Sequence, residues 1–328
     1  HKYAIRSMMF KWKKLGRVFD PTEVPDRDFI KEFAQAPATL IFDDFLRIYF
    51  ACRPLRDKIT GQYVSYTAYV DVNKKNFLDI IRFSEKPIFD LGLPGTFDEF
   101  GTYPTSVLRD KNEVVAYFGG WTRCSSVPFT VGIGKAYSYD EGKTFKKVGK
   151  GGPIIPYTPD EPFIISGPKI RKFNNKWYLF YISGKKWILD NGVPEPVYRI
   201  RLATSTDGVN WEKTGRDLIE TRLEDNEAQA SPDVVFWQGK YHMFFCYRYS
   251  TNYRENERGY KIGYASSIDL INWERDDDKA GITISENDTF DNESIAYPHV
   301  FELDGCLHML YLGNQVGRFG FGWAKLEP

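Results

Sequence analysis

The chain is 328 residues long, and its 44 basic and 44 acidic residues cancel. With no basic run, nothing in its charge invites nucleic acid, and no apolar stretch reaches the length of a membrane span. Hydrophobic residues make up 42%, enough for a sizeable core, and aromatics 16%, with 21 Tyr and 25 Phe, a bias that favours strands over helices.

Residues 1–11 read as an N-terminal extension or a tag remnant. The first strand pattern starts at Trp12, in "WKKLGRVFDP". Beyond it the chain repeats itself. Pro37, Pro104, Pro168, Pro232 and Pro298 follow one another at intervals of 67, 64, 64 and 66 residues, and each opens a similar apolar run: "PATLIFDD", "PTSVLRDK", "PKIRKFNN", "PDVVFWQG", "PHVFELDG". Seven residues after each Pro comes a turn position, Asp44, Lys111, Asn175, Gly239 or Gly305. Most of these are residue types that tolerate tight-turn angles. A second apolar strand follows each turn, from "FLRIYFACR" to "LHMLYLGN". A third leads into "YSYDEGKTF", "TSTDGVNW" and "SSIDLINW", where Asp140, Asp207 and Asp269 read as turn-holding side chains. A fourth strand starts on the aromatic residue that ends this motif, as after Trp211.

The fifth copy has room for three strands only. "WKKLGRVFDP" parallels "WEKTGRDLIE" at Trp211–Glu220, so the N-terminal strand supplies the missing fourth. The expected fold is therefore all-β: a five-bladed β-propeller of four-stranded antiparallel blades, its last blade closed by the N-terminal strand. It spans residues 12–328 as a single domain, with blades starting near 32, 99, 163, 227 and 293. The longest connections, Lys185–Tyr198 and Tyr249–Tyr260, read as polar loops on a rigid scaffold.

In such a meander the starts of the five innermost strands converge on a central mouth, together with the ends of the second strands. Five residues before each Pro stand Glu32, Glu99, Phe163, Glu227 and Glu293, with Asp98 beside Glu99. The second strands end on Arg53, Arg123, Lys185, Arg248 and Asn314. Trp121 lies close by, and Lys169, Asp233 and His299 directly follow a Pro. Two readings of the glutamates stand: a repeated cap at each blade entrance, or acid/base groups, since two carboxylates across a pocket can protonate a leaving oxygen and activate water. The cations are either solvated strand ends or an anion-recognising set, since guanidinium forks fit carboxylate and phosphate. His299 is either a satisfied channel histidine or a catalytic or metal-binding one, and Trp121 either stacks on a sugar or packs between blades.

"SGPKIRKFNNKWYLFYISG" (Ser166–Gly184) and "ATSTDGVNWEK" (Ala203–Lys213) resemble blade sequences of the five-bladed propeller glycosidases, the arabinanase–xylosidase families with their invertase and mannoside-phosphorylase relatives. The resemblance spans nearly the whole chain at the level of the repeat. It implies a carbohydrate-active enzyme whose base precedes the first-blade Pro, whose acid lies two residues before the third-blade Pro, and whose tuning acid precedes the second-blade Pro. This chain has Ala36, Ser166 and Tyr103 there. Only His299, similar to a channel histidine that helps hold a metal or water, carries over.

The expected activity is thus glycoside hydrolase-like, on an anionic or phosphorylated sugar at the mouth. Glu99, Glu227, Glu293 and Asp98 form the catalytic set; Arg53, Arg123, Lys185, Arg248, Trp121, His299, Glu32 and Asp233 form the substrate-binding set. The alternatives are a glycoside phosphorylase that uses inorganic phosphate and a non-catalytic glycan-binding propeller. No cofactor is expected apart from a channel metal ion near His299, and the partner is a sugar or glycan, not nucleic acid or a membrane. The four cysteines, Cys52, Cys124, Cys246 and Cys306, are scattered without metal-like spacing. Three of them sit in apolar runs as buried thiols, which together with the lack of a signal peptide points to the cytoplasm.

Overall fold

The computed structural model describes residues 9–254 and 257–328. Blade 1 is built from β2 (Glu32–Ile41), β3 (Leu46–Arg53), β4 (Tyr66–Asn73) and β5 (Asn76–Phe83); blade 2 from β6 (Gly101–Asp110), β7 (Glu113–Arg123), β8 (Phe129–Ser138) and β9 (Lys146–Lys147). Blade 3 holds β10 (Ile165–Phe173), β11 (Lys176–Asp190), β12 (Val193–Ser205) and β13 (Glu212–Lys213). Blade 4 holds β14 (Ala228–Trp237), β15 (Lys240–Arg248), β16 (Lys261–Ser267) and β17 (Glu274–Arg275). Blade 5 holds β18 (Ala296–Leu303), β19 (Cys306–Leu312) and β20 (Phe321–Leu326), and β1 (Trp12–Arg17) joins it antiparallel to β20, from Trp12 opposite Leu326 to Arg17 opposite Gly322. The ring is closed by its own N-terminal strand, as the repeat count requires.

The boundary drawn at Trp12 moves outward: Phe10 is buried against Trp12, His242, Phe244 and Tyr264. The part of the proposed extension that covers residues 1–8 lies outside the described residues. Three outer strands are only two residues long, which leaves little unpaired edge. The turn motifs behave as read: Asp207 Oδ1 accepts from Val209 N and Asn210 N, Asp269 Oδ1 from Ile271 N and Asn272 N, and Asp140 Oδ1 from Thr144 N. Cys52 and Cys246 are buried, Cys306 is half-buried and Cys124 exposed, all four as free thiols.

One expected loop is a strand. Lys185–Tyr198 continues the β11–β12 hairpin to a tip at Asn191-Gly192, with φ of 50° and 80°. Asn-Gly with positive φ at both residues forms the tight turn whose twist suits a hairpin.

The feature that positions the mouth is a bulge in every innermost strand. Register shifts fall between Gln35 and Ala38, Thr102 and Thr105, Ser166 and Lys169, Ala230 and Asp233, and Ala296 and His299. Each brackets an X-Pro pair. Proline has no N–H for the ladder, so it fits where pairing is interrupted. The preceding residue takes positive φ in four blades: Ala36 (51°), Gly167 (62°), Ser231 (52°) and Tyr297 (48°). In blade 2 the Tyr103-Pro104 bond is cis. A bulge re-aims side chains and ends regular alternation.

Candidate functional site

The bulges surround a cavity of about 490 Å³, in the size range of small-ligand sites. All five blades contribute: Gln35, Tyr103, Ser166, Ser231 and Tyr297 come from the bulges themselves. One wall is aromatic. Trp121 on β7 tilts against Tyr63 and Phe100, with ring centroids 5.6 and 6.0 Å away. Phe129 on β8 meets Trp187 of the extended hairpin edge-on at 5.4 Å. Flat, partly exposed rings beside polar groups suit the apolar face of a sugar.

The floor is tyrosine-rich. The Tyr103 and Tyr297 rings lie 5.8 Å apart, and the hydroxyls of Tyr198 and Tyr260 are hydrogen-bonded to one another. Burial pushes the phenols of Tyr103, Tyr260 and Tyr297 well above their ordinary value, so they stay protonated and can donate.

Arg248 runs beneath this layer and is 1% exposed. It donates to Tyr249 O at 3.0 Å, to Pro196 O at 3.2 Å and to Tyr198 Oη at 3.2 Å, and stacks 3.9 Å from the Tyr253 ring. Arg53 reaches the cavity from the end of β3, lying flat between Phe33 and Tyr63 with ring centroids 4.0 and 3.7 Å away. The carboxylate of the wall is Glu195, on β12. Its Oε2 accepts from Tyr253 Oη at 2.5 Å, and Arg254 pairs with both of its oxygens.

The expected carboxylate constellation is not at this mouth. Glu99 accepts from Gly95 N at 2.6 Å in the loop before β6. Asp98 is buried and pairs with Lys147 Nζ at 2.6 Å, beside a separate pocket on the flank of blade 2. Glu227 is fully buried, with Oε1 accepting from Arg222 N and Leu223 N and Oε2 from Gln229 Nε2 and Arg275 Nη1. Glu293 is exposed, its backbone N–H on Asn314 Oδ1. Glu32 pairs with Arg318 at 3.1 Å. None of the five is in the cavity lining. The reason is local. The position five before Pro sits at or just ahead of the first strand residue, so it closes the entrance loop, and the bulge then hands the inward direction to the residues one and two before Pro.

The cations divide. Arg53 and Arg248 line the cavity, as does Trp121. Arg123 sits behind them, stacked 3.9 Å from Phe100 and donating to Tyr63 O at 2.6 Å. Lys185 falls at a register shift in β11 and turns away to Asp217, 2.8 Å off.

Asp233 and His299 form a buried relay below the mouth. His299 Nδ1 lies 2.7 Å from Asp233 Oδ2, and Nε2 accepts from Thr39 N at 3.2 Å and faces Thr39 Oγ1 at 2.7 Å. Asp233 also accepts from Arg171 and from Val300 N, so it ties together blades 3, 4 and 5. Burial alone would raise its carboxyl; Arg171, His299 and Lys169 outweigh that and hold it well below the usual carboxylate range. Burial pulls His299 down to about 4. The described residues contain no cluster of three or more His, Cys, Asp or Glu able to hold a metal.

Glu195, Tyr198, Tyr253, Arg254 and Tyr260 went unread as site residues because they lie in the connections taken for loops. Tyr103 and Ser166 had been noted only as departures from the acids that the resemblance implies one and two residues before Pro, not as site residues.

The chain is 34% identical over 317 residues to the uncharacterized proteins MT1551 and Rv1502 of two Mycobacterium tuberculosis strains, covering 96% of this chain and 99% of theirs. No family model matches. Among solved structures it is similar to BT0996 in its RGII complex (TM-score 0.73, 16% identity, 98% of this chain and 93% of that one). It is similar as well to the β-1,2-mannobiose phosphorylase of Listeria innocua (0.68, 13%, 98% and 97%) and to the GH32 β-fructofuranosidase BmSUC1 of Bombyx mori (0.62, 15%, 94% and 64%). These likenesses show the fold, a five-bladed β-propeller. No helix among the described residues is long and apolar enough to cross a membrane.

Proposed function

For a chain that belongs to the family of the mycobacterial proteins MT1551 and Rv1502, we propose a carbohydrate-active role: glycoside hydrolase-like, with an anionic or phosphorylated sugar held in the central mouth. The observation that carries this reading is the wall itself. Trp121, Phe129 and Trp187 offer ring faces, while Gln35, Ser166, Ser231 and the protonated tyrosines offer hydrogen bonds around a space of about 490 Å³. Small sites of that make-up orient polyhydroxylated ligands by a few convergent polar groups.

Bond cleavage by two carboxylates needs a pair on opposite sides of the glycosidic bond. Among the described residues, Glu195 is the one carboxylate of the lining. That favours phosphorolysis over hydrolysis: a phosphate oxygen attacks the anomeric carbon, the glycosidic C–O bond breaks, and the departing oxygen takes the proton from Glu195. Tyr253 and Arg254 already occupy both Glu195 oxygens, which supports a second reading, sugar binding without cleavage.

Saturation-transfer NMR against neutral, acidic and phosphorylated sugars, repeated after overnight incubation with and without phosphate, decides between them. Product that requires phosphate and disappears in Glu195→Gln supports phosphorolysis. Binding that persists in Glu195→Gln and is lost in Trp121→Ala, with no product in either, supports a binding propeller. Saturation transfer unaffected by Trp121→Ala and Trp187→Ala removes the mouth as the sugar site.

A further inference from the structure

Three arginines line the mouth, and two of them already have partners. Arg248 gives its terminal nitrogens to Tyr249 O, Pro196 O and Tyr198 Oη, and Arg254 is paired with Glu195. Arg53 differs. Its side chain makes no hydrogen bond and no ion pair with any described residue, and its Nε is fully covered without an acceptor. The natural partner would be Glu32, directly across the strand pair from it. Yet Glu32 Oε1 goes to Arg318 at 3.1 Å, and its Oε2 lies 4.0 Å from Arg56. Phe33 and Tyr63 hold the guanidinium flat from both sides, so its plane is fixed before anything binds. Burial pulls its pKa down, the mark of a cation short of compensation.

A half-buried guanidinium whose Nε is covered without an acceptor is costly unless a ligand completes its bonds. Sandwiching leaves only the in-plane N–H edges for recognition, and that geometry matches the paired oxygens of an oxyanion. We propose that Arg53 is the anion-recognising residue of the mouth, taking a carboxylate or phosphate oxygen pair edge-on, either from an acidic group on the sugar or from free phosphate. The proposal rests on the reading of the mouth as a sugar site for its first source and stands without it for the second. It assigns anion selectivity to blade 1, through an arginine ordered by stacking, and separates it from Glu195, which belongs to blade 3.

The test measures dissociation constants by calorimetry for the wild-type chain, Arg53→Gln and Arg53→Lys. The probes are inorganic phosphate, glucose 1-phosphate, and the matched pair methyl glucuronide and methyl glucoside. Thermal melts check that each variant is folded. Losing a charge-assisted fork is expected to weaken the anionic probes roughly ten- to a hundredfold in Arg53→Gln, with the neutral glucoside unchanged. Arg53→Lys restores charge but not the planar fork and recovers only part of the loss. An effect on phosphate alone identifies free phosphate as the source; an effect on glucuronide or sugar phosphate identifies the ligand's own group. If phosphate binds through Arg53 and no sugar binds at all, the carbohydrate reading fails while this inference holds. Anionic probes that bind Arg53→Gln as they bind wild type, or no anion bound by folded wild type, overturn it.

Discussion

Tyr253 Oη donates a 2.5 Å hydrogen bond to Glu195 Oε2 across the gap between blade 4 and blade 3. Arg254 pairs with the same carboxylate, Asn252 N donates to Asp190 Oδ2 at 2.7 Å, and Arg248 donates to Pro196 O at 3.2 Å, so the extended hairpin is fastened to the neighbouring blade at several points. Removing the hydroxyl in Tyr253→Phe takes away one bond to the Glu195 carboxylate and leaves the others. The expected loss of stability is about 1–3 kcal/mol, read as a shift in urea midpoint at unchanged slope. Sugar binding should weaken by a similar or larger factor, since Trp187 sits on the same hairpin. An unchanged affinity alongside the expected stability loss would mean that the hairpin does not contribute to the ligand wall.

Glu227 and Glu99 occupy the same repeat position, yet their surroundings predict opposite outcomes. Glu227 is fully buried and shares its charge with Arg275, itself 3% exposed at the side chain. Neutralising it in Glu227→Gln leaves Arg275 paired with Asp277 alone and removes a charged acceptor from the Arg222 and Leu223 N–H groups, with an expected destabilisation of about 1–3 kcal/mol. Glu99 meets one loop N–H at the surface, and Glu99→Gln should cost under about 1 kcal/mol and leave sugar binding and any turnover untouched. Denaturant curves and the NMR assay together check both. Loss of turnover in folded Glu99→Gln would return that residue to the chemistry.

Gly192 tests the hairpin from its far end. With φ of 80° it sits where a Cβ is strained, although no atom lies within 4 Å to clash with one. Gly192→Ala should therefore destabilise by about 1 kcal/mol through backbone strain alone, and Gly192→Val by more. The measurable consequence is local: faster amide exchange at Trp187–Leu189 and weaker sugar binding, with the rest of the ring unchanged. Uniform exchange across all five blades would show that the tip is coupled to global unfolding instead.

The fold was legible because each copy repeats one instruction. Pro, an apolar run, a turn residue seven positions on, and a second apolar run at constant phase leave little alternative to a ring of hairpins, and "WKKLGRVFDP" gave the closure away. The mouth was only half legible. Arg53, Arg248 and Trp121 face it because strand ends follow the alternation that sequence reveals. The glutamates do not, because the bulge at each X-Pro resets the phase, and nothing in "EFGTYP" or "EAQASP" marks where the regular pleat stops. Glu195 and Tyr253 were hidden for a different reason: they depend on contacts between blade 3 and blade 4 some 60 positions apart, which no local pattern encodes.

The buried relay below the mouth makes stability depend on pH. His299 is held neutral, its pKa pulled from an ordinary 6.5 to about 4 by burial, and His308 is lowered to about 4 by burial with Lys325 adding to it. Between those values the unfolded chain binds protons that the folded one refuses, so stability is fully present above about pH 6.5 and falls as pH drops towards 4. For His299 alone the span corresponds to roughly 3 kcal/mol. Asp233, its carboxyl held low chiefly by Arg171, stays ionised through this window and loses its contribution only at more acid pH. Urea midpoints taken from pH 7.5 to 4.5 should therefore decline steadily, and the decline should be shallower in His308→Gln, which removes one of the two titrations without touching Asp233. A flat profile across that range would mean that both histidines take up their protons in the folded state, His299 as an ion pair with Asp233.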